Sequence, residues 1–217
     1  MPVPDIIRNF GSAKVGAYRN VVSITYDLFP LDILVKLKHP MSDTIQSLKR
    51  EMLTIRGKKE SRELDDEEAE SQGLVVRGHL RDILGSVFSD YSETGRGWQS
   101  KIVEEARSVL GIHMNILSNY GEVISHEMDC IYFKPKPEER SMLEGRNYFC
   151  TNRTYSSYVE NKFQWIIFFG KMKHLSRNEQ GKENAEGVTH QDKGVVQAYI
   201  KLMNPKCDET TLQIEPL

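Results

Sequence analysis

Val21-Val22-Ser23-Ile24-Thr25-Tyr26-Asp27-Leu28 alternates apolar and polar side chains along its length. Val22, Ile24, Tyr26 and Leu28 fall on one side, and Ser23, Thr25 and Asp27 on the other. That period of two is the signature of a half-buried strand. Pro30 interrupts the pattern, and Leu31, Ile33, Val35 and Leu37 resume it against Asp32, Lys36 and Lys38. Proline cannot donate to a ladder, so the expectation is a bend, turn or edge position at Pro30 followed by a second strand.

Working outward, Ser42 or Asp43 is placed to cap a helix carrying Ile45, Leu48, Met52 and Ile55, with Gly57 at its end. The stretch GKKESRELDDEEAESQG, residues 57–73, has no apolar period and reads as an acidic, mobile surface loop. Leu80, Ile83, Leu84, Val87 and Phe88 restore helical spacing. Trp98, Ile102, Ala106, Val109, His113 and Ile116 then share one stripe, the clearest helix in the chain, closed by Tyr120-Gly121. Beyond it, Ile124, His126, Met128, Cys130 and Tyr132 alternate with Ser125, Glu127 and Asp129, which predicts one strand stopped by Pro135. Aromatic-rich runs at 148–159 and 163–174, a polar loop at 176–193 and a strand at 195–203 complete the pattern, with a short strand near 212–214. Strands, then helices, then strands, without regular βαβ alternation, predict the α+β class: N-terminal strands, a group of about three helices and a mostly antiparallel C-terminal sheet. A length of 217 residues suits one domain over 1–217.

The formal charge of −2 conceals segmentation. Residues 1–60 and 131–177 are each rich in Lys and Arg, whereas Glu63, Asp65, Asp66, Glu67, Glu68 and Glu70 crowd one short stretch. Cys130, Cys150 and Cys207 form no C-x-x-C pair, which favours free thiols and a reducing compartment. No signal-peptide pattern opens the sequence, and no apolar run approaches the ~20 residues of a membrane span. A cytoplasmic protein is expected, with peripheral membrane or nuclear placement open.

Motifs for chemistry are missing from the sequence. There is no phosphate-binding G-x-x-x-x-G-K-[ST], no G-x-G-x-x-G and no G-x-S-x-G elbow. Along a strand, His126, Met128 and Cys130 would face away from Glu127 and Asp129, which divides soft from hard ligands, so no metal site is expected. His113, on an apolar stripe, reads as a core or boundary histidine. A metal-dependent nuclease would draw on Asp32, Glu122 and Asp129 with Lys134 nearby, although their spacing is not diagnostic. The expectation is therefore no catalytic residue and no cofactor.

The strongest functional signal is the basic, aromatic-rich C-terminal half. Lys134, Lys136, Arg146 and Arg153 are interleaved with Tyr148, Tyr155 and Tyr158, and Lys171, Lys173, His174 and Arg177 follow Phe168 and Phe169. Cations beside aromatic rings suit phosphate neutralisation with base stacking, or anionic headgroups with shallow insertion. The competing explanation is a sheet with an aromatic buried face and a basic wet face.

One resemblance adds to this. Strands ending in basic residues and Pro40 precede a Ser42-Asp43 helix start. Further helices lead to a strand opening at Glu144-Gly145-Arg146-Asn147-Tyr148 and another at Phe163–Lys171. This order, over about Val21 to Met203, resembles that of rhabdovirus matrix proteins. The lysine-rich N-terminus and proline-rich budding motif of those proteins are not matched. The resemblance implies a non-enzymatic protein that self-associates, coats an anionic membrane surface and condenses a nucleocapsid. The alternatives are a nucleic-acid-binding or host-interaction module, and the nuclease above.

Overall fold

The computed structural model describes residues 10–26, 28–142 and 157–188. Four helices and seven strands occur among them, and the α+β class holds. The chain divides into two compact units, the first over Met1–Ile6 and Leu28–Ser108, the second over Ile7–Asp27 and Val109–Leu217.

The first unit is helical. Helix α1, Phe29–Lys36, occupies the stretch whose alternation predicts a second strand. Two local features decide against the strand. Leu28 adopts a left-handed conformation (φ 55°), which turns the chain sharply, and Pro30 sits in the first helical turn, where its missing N–H costs nothing. Asp32 in the first turn and Lys36 in the last also complement the helix dipole. Phe29, Leu31, Ile33 and Leu34 are all fully buried.

Helix α2 spans Ser42–Glu60 and helix α3 spans Asp66–Ser89, and the two pack against each other. The expected loop over 57–73 is thus helical except for the turn at Ser61–Asp65. Its acidity is a helix-start signal. The Asp65 carboxylate accepts the Glu68 N–H at 2.7 Å, and Asp66, Glu67 and Glu68 sit at the positive end of the dipole. Ala69, Gly73, Val76, Leu80, Ile83 and Val87 then form one buried stripe. Helix α4, Glu93–Leu117, starts close to the end of α3. Gln99, buried on α4, donates through Nε2 towards the carbonyls of Val87 (3.1 Å), Phe88 (3.2 Å) and Asp90 (3.0 Å), which supplies the end of α3 with donors.

The second unit holds the sheet, in the order β1-β3-β4-β2-β5-β6-β7, with every neighbouring pair antiparallel. The strands are β1 Ser12–Ala13, β2 Gly16–Tyr26, β3 Gly121–His126, β4 Cys130–Pro135, β5 Ser157–Gly170, β6 Lys173–Asn178 and β7 Glu183–Glu186. The single strand expected around 124–132 is a hairpin: Glu127 N–H donates to the Cys130 carbonyl at 2.8 Å, and the chain reverses at 127–129. The polar loop expected over 176–193 contains the end of β6 and all of β7; residues 189–193 lie outside the described residues, as do the strands expected at 195–203 and 212–214.

Central strand β2 separates two buried environments. Tyr26 stacks on His113 of α4 (ring centroids 5.5 Å apart, planes 8° apart). Val22 and Ile24 share its side of the strand, and Phe133 and Ile131 are their partners on β4. On the other side, Val21, Ile124, Cys130, Tyr132, Phe163, Ile166 and Phe168 make one apolar cluster.

Candidate functional site

The face bearing Tyr132 carries a polar cleft of about 330 Å³. Strand alternation brings its lining together. Ser23 of β2 pairs with Tyr132 of β4 on one side and Asn161 of β5 on the other. His174, Ser176 and Asn178 of β6 lie on the same face, and Asn184 and Glu186 of β7 form the rim. Ser23, Tyr132, Phe163, His174 and Ser176 are buried, whereas Asn184 and Glu186 are exposed.

His174 is the distinctive member, at 2% exposure. Its ring meets the edge of Tyr132 (5.5 Å between centroids) and tilts against Phe168 (5.6 Å). Burial pushes its pKa down to about 4, so the imidazole is neutral at pH 7. Nε2 lies 3.7 Å from Glu186 Oε2, beyond direct hydrogen-bond range. That carboxylate favours the proton on Nε2, which leaves Nδ1 as an acceptor. Nδ1 is buried with no hydrogen-bond partner among the described residues.

The β3–β4 turn holds a second unusual group. Burial, followed by the charges of Glu186 and Asp129, raises the Glu127 pKa to about 7. Its Oε1 is buried without a hydrogen-bond partner among the described residues. The Asp129 carbonyl accepts the Tyr26 N–H at 2.8 Å, which ties this turn to the end of β2. A carboxyl near half protonation at neutrality can exchange a proton. Among the described residues, however, no group of three or more His, Cys, Asp or Glu side chains is arranged to hold a metal ion.

Among the described residues, those expected to bind an anionic surface lie on both faces of the sheet and at its turns. Lys134 lies on the Tyr132 face by alternation and pairs across the ladder with Glu122. Lys136 donates to the Asn119 carbonyl at 3.0 Å, near the end of β4. Lys171 is in the β5–β6 turn. Lys173 and Arg177 are exposed on the opposite face of β6, where Arg177 neighbours Trp165. His174, read with them as a surface cation, is buried and neutral because alternation turns it onto the Phe168 side. Arg146, Arg153, Tyr148 and Tyr155 lie outside the described residues. Tyr158, on β5, pairs with Thr25 of β2, but its side chain lies outside them too.

Of the carboxylates proposed for a nuclease, Asp32 belongs to the first unit, and Glu122 and Asp129 to the second. Glu122 pairs with Lys14 at 2.8 Å, at the end of β3 far from Asp129. Asp32 is nearly buried on α1 and is bridged by Lys49. No helix among the described residues is long and apolar enough to cross a membrane. Cys130 is a buried free thiol.

No family model and no curated protein matches the sequence. Among solved structures, the family B DNA polymerase from the hyperthermophilic archaeon Pyrobaculum calidifontis matches with a TM-score of 0.68 at 13% identity. The match covers 88% of this chain and 30% of the polymerase chain. This chain is similar in fold to part of a DNA polymerase. It spans less than a third of that relative, and the likeness concerns backbone architecture alone. It does not bear on the resemblance to matrix proteins. Sequence reasoning missed the cleft because Ser23, Asn161, His174 and Asn184 come from four strands whose pairing no local pattern specifies.

Proposed function

We propose that this chain is a nucleic-acid-binding module that uses a polymerase-like sheet for binding rather than catalysis. The observation carrying the reading is the match of 88% of the chain to a protein that, by its name, polymerises DNA. Two features of the chain agree with binding. Exposed Arg50, Arg56, Lys58, Lys59 and Arg62 line α2 and the turn after it, and Lys171, Lys173 and Arg177 supply cations on the sheet. The absence of catalysis rests on the carboxylates. Polymerases place two metal ions about 4 Å apart between clustered carboxylates. Among the described residues Glu122 is engaged by Lys14, and no three His, Cys, Asp or Glu side chains are grouped to hold a metal ion.

The test is a gel experiment with the full chain, a labelled primer–template and free nucleotides, with magnesium or manganese. The proposal expects retention of the nucleic acid with its length unchanged. Lengthened or shortened product would overturn the non-catalytic part. Failure to retain nucleic acid, together with sedimentation on anionic vesicles, would move the reading to a self-associating coat protein of the matrix kind.

A further inference from the structure

Helix α3 turns an uncovered apolar hollow to the outside. Leu74 and Val75 are 56% and 57% exposed, the only consecutive pair of exposed large apolar side chains among the described residues. Single exposed apolar residues are ordinary, whereas adjoining ones begin a patch. Helical period puts Ser71 and Gly78 between these two, on the side away from the buried stripe of Ala69, Gly73, Val76 and Leu80. Ser71, Leu74, Val75 and Gly78 thus stand at i, i+3, i+4 and i+7. Four residues so spaced form the hole that receives a side chain from a facing helix. Gly78 fits that role. Glycine weakens a helix interior, and a Cβ at Gly78 would meet nothing within 4 Å among the described residues.

Charge names the facing helix. The half of α3 before Leu74 carries Asp66, Glu67, Glu68 and Glu70 without a basic residue. The half after it carries Arg77 and Arg81 against Asp82 alone. Exposed Glu67 lies seven residues before Leu74, and exposed Arg81 seven after it, about 10 Å along the helix in each direction. A second α3 packed antiparallel about Leu74 therefore brings Glu67 of each copy beside Arg81 of the other. The same placement lays Leu74 of each copy over the hole of the other, as a two-fold contact requires. Parallel packing would instead press the two acidic halves together.

We propose that the chain forms a symmetric homodimer through antiparallel contact of its α3 helices, with Leu74 at the two-fold axis and Gly78 allowing close approach. This contact does not depend on the nucleic-acid reading, and no nucleic acid enters its test.

Sedimentation velocity of the full chain, over a concentration series reaching about 100 µM, reads the monomer–dimer equilibrium directly. The parent should dimerise, less tightly as salt rises. Leu74→Arg and Gly78→Gln should each weaken the dimer by about tenfold or more. Gly78→Gln should also keep or raise the helix content seen by circular dichroism, because its side chain has open space in the monomer. Loss of the dimer in that variant is then not loss of the fold. Glu67→Arg and Arg81→Glu should each self-associate more weakly, since each chain meets its copy with like charges. An equimolar mixture of the two should recover association, because both contacts become complementary. A monomeric parent, a dimer indifferent to Leu74→Arg and Gly78→Gln, or a mixture no tighter than its components would overturn the assignment.

Discussion

The Tyr26 hydroxyl lies 2.6 Å from His113 Nδ1, joining the end of β2 to the last turns of α4. Burial raises the phenol pKa well above its ordinary value and lowers the imidazole to about 4, so an uncharged phenol and an uncharged ring share this hydrogen bond. Both partners are buried, so the bond is not exchanged for one to water. Tyr26→Phe keeps the ring stack and deletes the hydroxyl. Urea denaturation should show a loss of about 1–2 kcal/mol with little change in slope.

Acid should destabilise the chain through its buried histidines. His113 and His174 titrate at about 4 when folded, against an ordinary value near 6.5. Between those values the unfolded chain binds more protons than the folded one. The stability they contribute is therefore fully present above about pH 6.5 and lost as pH falls through about 4. Replacing both histidines with phenylalanine should flatten the dependence of unfolding free energy on pH across that window.

Glu127 acts in the opposite direction. Its folded pKa of about 7 exceeds the ordinary 4.5, so the stability it contributes is present below about pH 4.5 and is lost as pH rises through 7. Glu127→Gln keeps the neutral shape. It should match the parent at about pH 5 and melt at a higher temperature at about pH 8.

Gln99→Leu should show what the carboxamide does for the end of α3. It removes the donor that faces the carbonyls of Val87, Phe88 and Asp90 while preserving bulk. The expected cost is about 1–3 kcal/mol, with hydrogen exchange accelerating first in the last turn of α3.

Much of the fold was legible because period and burial agree. Val22, Ile24 and Tyr26 form the predicted strand face, and the stripe from Ile102 to His113 is buried in α4. The misreadings have physical causes. Leu31 to Leu37 alternates like a strand, yet Phe29, Leu31, Ile33 and Leu34 also suit a short buried helix, and Pro30 with the left-handed Leu28 tips the balance. The acidic run has the composition of a solvated loop, yet Asp65 followed three residues later by Glu68 is a helix start. Apolar and polar residues alternate in sequence straight through Glu127–Asp129, which hides the hairpin, whereas in the sheet a register shift between Val123 and Ser125 breaks the period and puts His126 opposite Ile131. The basic residues were legible one by one, but not their distribution over both faces, which depends on a shift in register between Phe163 and Trp165.

The central claim is that the chain binds nucleic acid through its cations. Fluorescence anisotropy of a labelled single-stranded DNA against the full chain, repeated over a salt series, tests it most directly. The account predicts that the logarithm of the affinity falls linearly with the logarithm of salt, with a slope of roughly −0.7 per phosphate contact. No binding at low salt, or an affinity indifferent to salt, would contradict it.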